Sequence, residues 1–148
     1  MAVYATTQDL VNLGVQPNVI AKLAPSQVAA ILQSASDEAD SFGRGRWGYN
    51  ALPLLAWDTG WTRAVAKLAA FEVIRVGGVN PESQDYKLAR IGWDDAREYF
   101  NGVQRQQVHP QVTLAPAGTA LPGQQQPFVM TSSVVNVATG ARARNRGW

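Results

Sequence analysis

Between Gly60 and Val76 the chain carries Trp61, Ala64, Val65, Leu68, Phe71, Val73, Ile74 and Val76, an apolar stripe that widens along the run until it covers most of a helix's circumference. Such a helix has too little polar face to sit at a surface, so it must lie in the middle of a bundle with other helices around it. Its start is signalled by Asp58 or Thr59 as a cap and its end by Gly77-Gly78. This requirement makes the chain an all-α protein: a small bundle of about four helices with a long loop and an extended C-terminal arm.

The surrounding segments supply the partners. Thr6 or Thr7 caps a short helix that Gly14 ends, and a second turn runs near Asn18–Leu23. Pro25 occupies a first helical position, and Val28, Ile31, Leu32, Ala35, Ala39 and Phe42 then follow in steps of three and four, predicting a helix that stops at Gly43. Asn80-Pro81-Glu82 reads as a cap, a first-turn proline and a first-turn acid. Behind it Tyr86, Ala89, Trp93, Ala96, Phe100 and Val103 share one face of a helix over 81–104, roughly 35 Å long at the helical rise. Trp61, Leu68 and Trp93 are the expected centre of the core.

Residues 43–57 break the helical pattern with Gly43, Gly45, Gly48, Asn50 and Pro53, yet carry Trp47, Tyr49, Leu52, Leu54, Leu55 and Trp57. A loop this apolar either folds back on the core or meets a neighbour. Trp47, Leu54 and Leu55 are therefore expected to bind a neighbouring subunit or another partner protein.

After Val108 the composition changes. Of the 40 residues 109–148, eight are Leu, Ile, Val or Phe, four are Pro and four are Gly, too few large apolar side chains to fold alone. The expected division is a helical body over 1–108 and an arm over 109–148. Phe128–Val137 is β-prone but has no second strand in the chain, so it must find an edge on its own body or on another subunit. All eleven acids and nine of the thirteen Lys and Arg lie in residues 1–98, whereas residues 99–148 hold Arg105, Arg142, Arg144 and Arg146 and no acid. A basic arm on a near-neutral body suits an acidic partner, protein or nucleic acid. From the arm, Phe128, Val129, Val134, Val135, Val137, Arg142, Arg144, Arg146 and Trp148 are expected to contact a neighbouring subunit or another partner. Arg44 and Arg46 are expected to face DNA or an acidic surface, Arg for its fork geometry on phosphate and Trp47 for stacking.

Several motifs carry less than their spelling suggests. Gly43-Arg44-Gly45-Arg46-Trp47-Gly48 spells a dinucleotide fingerprint, but it follows a helix, where the mechanism needs a strand. Asp37-Glu38-Ala39-Asp40 reads as the solvated face of a helix, and Asp94, Asp95 and Glu98, beside Arg90 and Arg97, as an ion-paired one. His109 is the only histidine and there is no cysteine, so neither triad chemistry, nor a thiolate metal site, nor a disulfide framework is expected. No enzyme activity, metal or cofactor is expected. The N-terminus has no basic region followed by an apolar run, so no secretory signal is expected, and no stretch approaches the roughly 20 apolar residues of a membrane span, so no membrane partner is expected either.

The order of parts resembles a known family. Tyr4-Ala5-Thr6-Thr7-Gln8-Asp9-Leu10 opens the chain, followed by Leu23-Ala24-Pro25-Ser26-Gln27, by Ala35-Ser36-Asp37-Glu38-Ala39-Asp40-Ser41-Phe42, by the loop Tyr49-Asn50-Ala51-Leu52-Pro53-Leu54, and by an Ala-rich helix. Over residues 3–104 this resembles the small helical head–tail connector, or adaptor, proteins of tailed bacteriophages, in their Mu-like and lambda-like branches. The resemblance implies a homo-oligomeric ring, usually of twelve subunits, assembled in the host cytoplasm and lodged in the virion beneath the portal protein. There it would extend the channel for passing genomic DNA and receive a stopper or tail-completion protein. It also implies a C-terminal arm that grips the portal or a neighbour, and makes the portal or a neighbouring subunit the partner expected for Trp47, Leu54, Leu55 and the arm residues named above. Arg44-Gly45-Arg46-Trp47, in place of a single short turn, and the long arm depart from that pattern. The rival expectation is a small nucleic-acid-binding protein using the Arg-bearing loop and arm, although residues 1–98 hold more acids than bases.

Overall fold

A computed structural model describes residues 2–116. Five helices follow one another: α1 (Thr7–Asn12), α2 (Pro17–Ala21), α3 (Pro25–Trp47), α4 (Thr59–Val76) and α5 (Gln84–Gln104). A single 3-10 turn, Tyr49–Ala51, interrupts the link between α3 and α4. None of these helices is long and apolar enough to cross a membrane.

Local chemistry accounts for most of the boundaries. The Thr6 hydroxyl accepts from the Asp9 N–H, and the Asp9 carboxylate accepts in return from the Thr6 N–H at 2.7 Å, closing a capping box. Pro17 and Pro25 open α2 and α3, where a missing N–H costs nothing. The Asp58 carboxylate accepts from the Trp61 N–H at 2.8 Å and starts α4.

Helix α4 lies at the centre, as its all-round apolar surface requires. It packs on α3, α5, α1 and α2, and buries Trp61, Val65, Leu68, Val73 and Ile74 among four alanines. The small side chains let neighbouring helices close in, while Trp61, fully enclosed, fills the space between Tyr4 and Phe100, with ring centroids at 6.0 and 5.0 Å. Ala96, Phe100 and Val103 of α5 are buried on the face read from sequence. Trp93 is only half-buried, beneath the Arg97 guanidinium 4.7 Å from its ring, so it borders the core without forming its centre.

Three boundaries differ from expectation. Helix α3 continues one turn past Gly43 to Trp47, so the glycine-rich segment is helical. Gly43 is there for room: a Cβ on it would come within 3.1 Å of Leu52 and 3.3 Å of the Trp47 ring. The helix stops at Gly48, whose φ of +85° and ψ of 169° belong to a region that only glycine adopts cheaply. Gly48→Ala is therefore expected to destabilise the fold by about 1–3 kcal/mol, read as a lower urea midpoint with an unchanged slope. Helix α5 starts at Gln84, later than Asn80-Pro81-Glu82 suggests. Asn80 instead closes a local turn by accepting from the Glu82 N–H at 2.9 Å, and Ser83 caps the helix.

The third difference is the segment after α5. Beyond α5, Gln106 takes a positive φ of 62° while the N–H groups of Gln107 and Val108 both donate to the Gly102 carbonyl, reversing the chain. Residues 109–116 then return across the α3–α4 link. Thr113 pairs with Ala56 in an antiparallel bridge, and Val112 and Leu114 pack against the core. Residues just past Val108, where the arm was expected to begin, thus lie on the body, because backbone pairing holds a segment whose side chains are too few to fold alone.

Candidate functional site: the link between α3 and α4

The link between α3 and α4 is an ordered ledge with few outward side chains. Its backbone is pinned from below by Tyr4, whose ring is buried edge-on against Trp57 at 4.7 Å and whose hydroxyl accepts from the Leu54 N–H at 3.0 Å. The same hydroxyl donates to the Asp40 carboxylate at 2.5 Å, and the Tyr4 N–H donates to the Ser36 hydroxyl at 3.0 Å. The N-terminal segment, α3 and the ledge therefore meet in one buried polar network.

That network corrects the reading of Asp37-Glu38-Ala39-Asp40 as a solvated face. Asp40 is 6 % exposed, since α3 is covered there by the N-terminal segment, which periodicity within α3 cannot reveal. Burial pushes the Asp40 carboxyl up, against the opposing effects of the Tyr4 hydrogen bond and the nearby Arg44 charge. Burial and the Asp40 contact push the Tyr4 hydroxyl well above the ordinary phenol range. Burial, with Asp58 nearby, raises Tyr99 to about 12.

Of the six large apolar residues in the link, four turn inward. Leu54 is 2 % exposed and belongs to the chain's own core, so it has no surface to offer a partner. Trp47 lies 5.9 Å from Trp61 and, with Leu52 and Trp57, is half-buried against the core. The outward pair is Tyr49, 71 % exposed, and Leu55, 61 % exposed. Leu55 was expected to be outward; Tyr49 was missed as a contact residue, although its place between Gly48 and Asn50 in a tight turn is a signal that it cannot reach the core.

The two arginines separate. Arg44 is exposed, its guanidinium 5.6 Å from the Tyr49 ring, and extends the outward patch. Arg46 is half-buried and fully engaged. It donates to the carbonyls of Val103 at 3.1 Å and Val108 at 2.6 Å, and lies 2.8 Å from His109 Nδ1. Arg46 thus clasps the end of α5 to the returning segment, an engagement that its expected role as a contact for DNA or an acidic face did not include. Sequence could not separate them, because one helical turn decides which arginine points inward.

A second apolar feature also went unforeseen. Leu88 and Ile91 stand exposed on α5 beside a cleft floored by Leu13, Val15 and Ile74 and bridged by Lys67 and Asp95 at 3.5 Å. Among the described residues no three His, Cys, Asp or Glu side chains gather as metal ligands. Phe128, Val129, Val134, Val135, Val137, Arg142, Arg144, Arg146 and Trp148 lie outside the described residues.

No family model, no curated protein and no solved structure matches this chain.

Proposed function

We propose that this chain is a structural head–tail adaptor of a tailed bacteriophage. In this reading copies form a ring, of twelve by family resemblance, beneath the portal, extend the channel for passing DNA without sequence specificity and present a surface to the stopper or tail. The observation that carries it is the ledge. Tyr49 and Leu55 are held outward on a backbone anchored by Leu54, Trp57 and the Tyr4 hydroxyl. Apolar side chains displayed on a pre-ordered frame lose little entropy on docking and suit an assembly contact. The order of sequence segments described above supports the same reading.

Tyr49→Ala combined with Leu55→Asp is expected to abolish docking on the purified portal of the same phage, measured by sedimentation velocity. The melting temperature of the free protein should hardly move, because exposed substitutions typically change stability by within about 0.5 kcal/mol. Undiminished docking by the double variant would remove the ledge from the interface. A free wild-type protein that neither forms rings nor binds the portal would overturn the adaptor reading itself.

The nucleic-acid alternative rests on Arg44 beside Tyr49, a cation and a stacking plane on one surface. It requires binding to single-stranded or duplex DNA that weakens steeply with salt and is lost in Arg44→Ala.

A further inference from the structure

The cleft beside Leu88 and Ile91 carries two features that the chain's own packing does not use. The first is Gly92, partly exposed near the middle of α5. Glycine inside a helix costs stability relative to alanine, so it calls for a steric reason. The other helical glycines have one within the chain. A Cβ would crowd Leu52 at Gly43, Gln104 at Gly45, Asp58 at Gly60 and Val108 at Gly102, each within 3.3 Å. At Gly92 the nearest atom, Lys67 Cγ, lies at an ordinary 3.8 Å, so alanine would fit. The missing side chain leaves a notch in the wall of the cleft instead.

The second feature is the order of charge along the cleft. Helices α4 and α5 run antiparallel, with Trp61 against Phe100, Lys67 against Asp95 and Phe71 against Tyr86. Arg63, near the start of α4, and Asp85, near the start of α5, therefore stand at opposite ends of the cleft that both line. Both are exposed. Arg63 bonds to nothing among the described residues, and Asp85 accepts one long hydrogen bond, from Gln16 at 3.4 Å. Between them Lys67 and Asp95 neutralise each other at 3.5 Å, and Gly92 lies beside Lys67. One end is thus positive and the other negative, with the glycine at the middle.

We propose that a second copy of this chain docks on this face through a two-fold axis passing beside Gly92. A half turn about the middle of a surface that is positive at one end and negative at the other lays each end on its opposite. Arg63 of each copy then faces Asp85 of the other. The two α5 helices cross at the axis, where the paired Gly92 notches let their backbones approach closely. Leu88 and Ile91, each more than half exposed in the single chain, are covered by the same residues of the second copy. A partner of one charge sign would satisfy one end of the cleft and oppose the other, so the order of charge favours the chain's own copy. A two-fold contact joins two copies and no more. This dimer is therefore a state of the free protein, formed by side chains other than those of the ledge, and the inference stands independently of the adaptor reading.

Sedimentation of the full chain over a range of concentrations tests this. A two-copy species in reversible equilibrium with monomer is expected, weakening as salt rises because exposed charge pairs are screened over about 10 Å at 0.1 M. Arg63→Asp and Asp85→Arg should each weaken dimerisation at least about tenfold, since each sets like charges opposite one another at two symmetric places. Mixed in equal amounts, the two variants should dimerise with each other, because each supplies the charge that the other lacks. Gly92→Gln should weaken the dimer by a similar factor by filling the notch. Its melting temperature, read at a concentration where the chain is monomeric, should hold or rise, since glutamine is the better helix former and its Cβ has room. The ledge variant Tyr49→Ala with Leu55→Asp should dimerise like wild type, which keeps this test separate from that of portal docking. A wild-type chain that stays monomeric up to about millimolar concentration overturns the proposal. So does a mixture of the charge variants that stays monomeric, association beyond two copies, a dimer that the ledge variant abolishes, or a lower melting temperature in Gly92→Gln.

Discussion

Trp61→Ala is expected to remove about 3–5 kcal/mol of unfolding free energy, the largest single loss in this protein. The indole is fully enclosed at the start of α4 and touches rings from three other parts of the chain: Tyr4 of the N-terminal segment, Trp47 at the end of α3 and Phe100 of α5. Removing it opens a cavity where four elements converge, and neighbouring helices, held along their lengths by other contacts, can collapse into it only in part. Because domains of this size have total stabilities of about 5–15 kcal/mol, the variant should unfold at much lower urea and approach unfolding at room temperature. Trp61→Phe separates packing from polarity. The indole N–H has no partner among the described residues, and the smaller ring discards this unpaired donor while keeping most of the contacts. Its loss should stay below about 1.5 kcal/mol. Urea titrations followed by circular dichroism measure both. A Trp61→Ala loss no larger than that of Trp61→Phe would show that the convergence at Trp61 is not the centre of the core.

Tyr4→Phe is expected to lower stability by about 2–3 kcal/mol although it removes one oxygen atom. That atom accepts from the Leu54 N–H and donates to Asp40, so its loss leaves a buried donor and a buried carboxyl without partners. The ledge should loosen along with the core, seen as faster amide exchange at Leu54. Asp40→Asn tests the same network by pH. Burial raises the Asp40 carboxyl, so the folded state holds this proton more tightly than the unfolded chain does. The stability tied to this group is complete below the unfolded carboxylate value of about 3.9 and declines as pH rises through the raised folded value. Asparagine keeps an acceptor for the Tyr4 hydroxyl but cannot ionise. Relative to wild type, the variant should therefore gain stability between pH 4 and pH 7. The same difference at both pH values would mean that Asp40 titrates as it does in the unfolded chain.

The helices and their order were legible because the signals are local. The threonine cap of α1, the proline opening α3, and the apolar steps of α3, α4 and α5 each depend on residues within one or two turns. The all-round apolar surface of α4 even dictated its central place. Within the ledge the apolar residues were legible as a group, but not which of them turn outward. Leu54 and Leu55 are neighbours of the same type, and their opposite fates follow from distant partners: the Tyr4 hydroxyl, fifty residues away, accepts from the Leu54 N–H, and the Thr113 carbonyl accepts from the Leu55 N–H. The same holds for Asp40, covered by a segment thirty-six residues distant, and for Arg46, drawn inward by carbonyls beyond α5. Residues 109–116 look like the start of an arm by composition, since Val112 and Leu114 are their only large apolar side chains. Their place on the body comes from backbone groups that all residues share, and backbone hydrogen bonding leaves no mark in side-chain pattern. The sequence by itself determined the helices and which one is central, because periodicity and capping act over a few residues. Tertiary structure alone decided which side chains the ledge exposes and that residues 109–116 lie on the body, because contacts between distant segments set both.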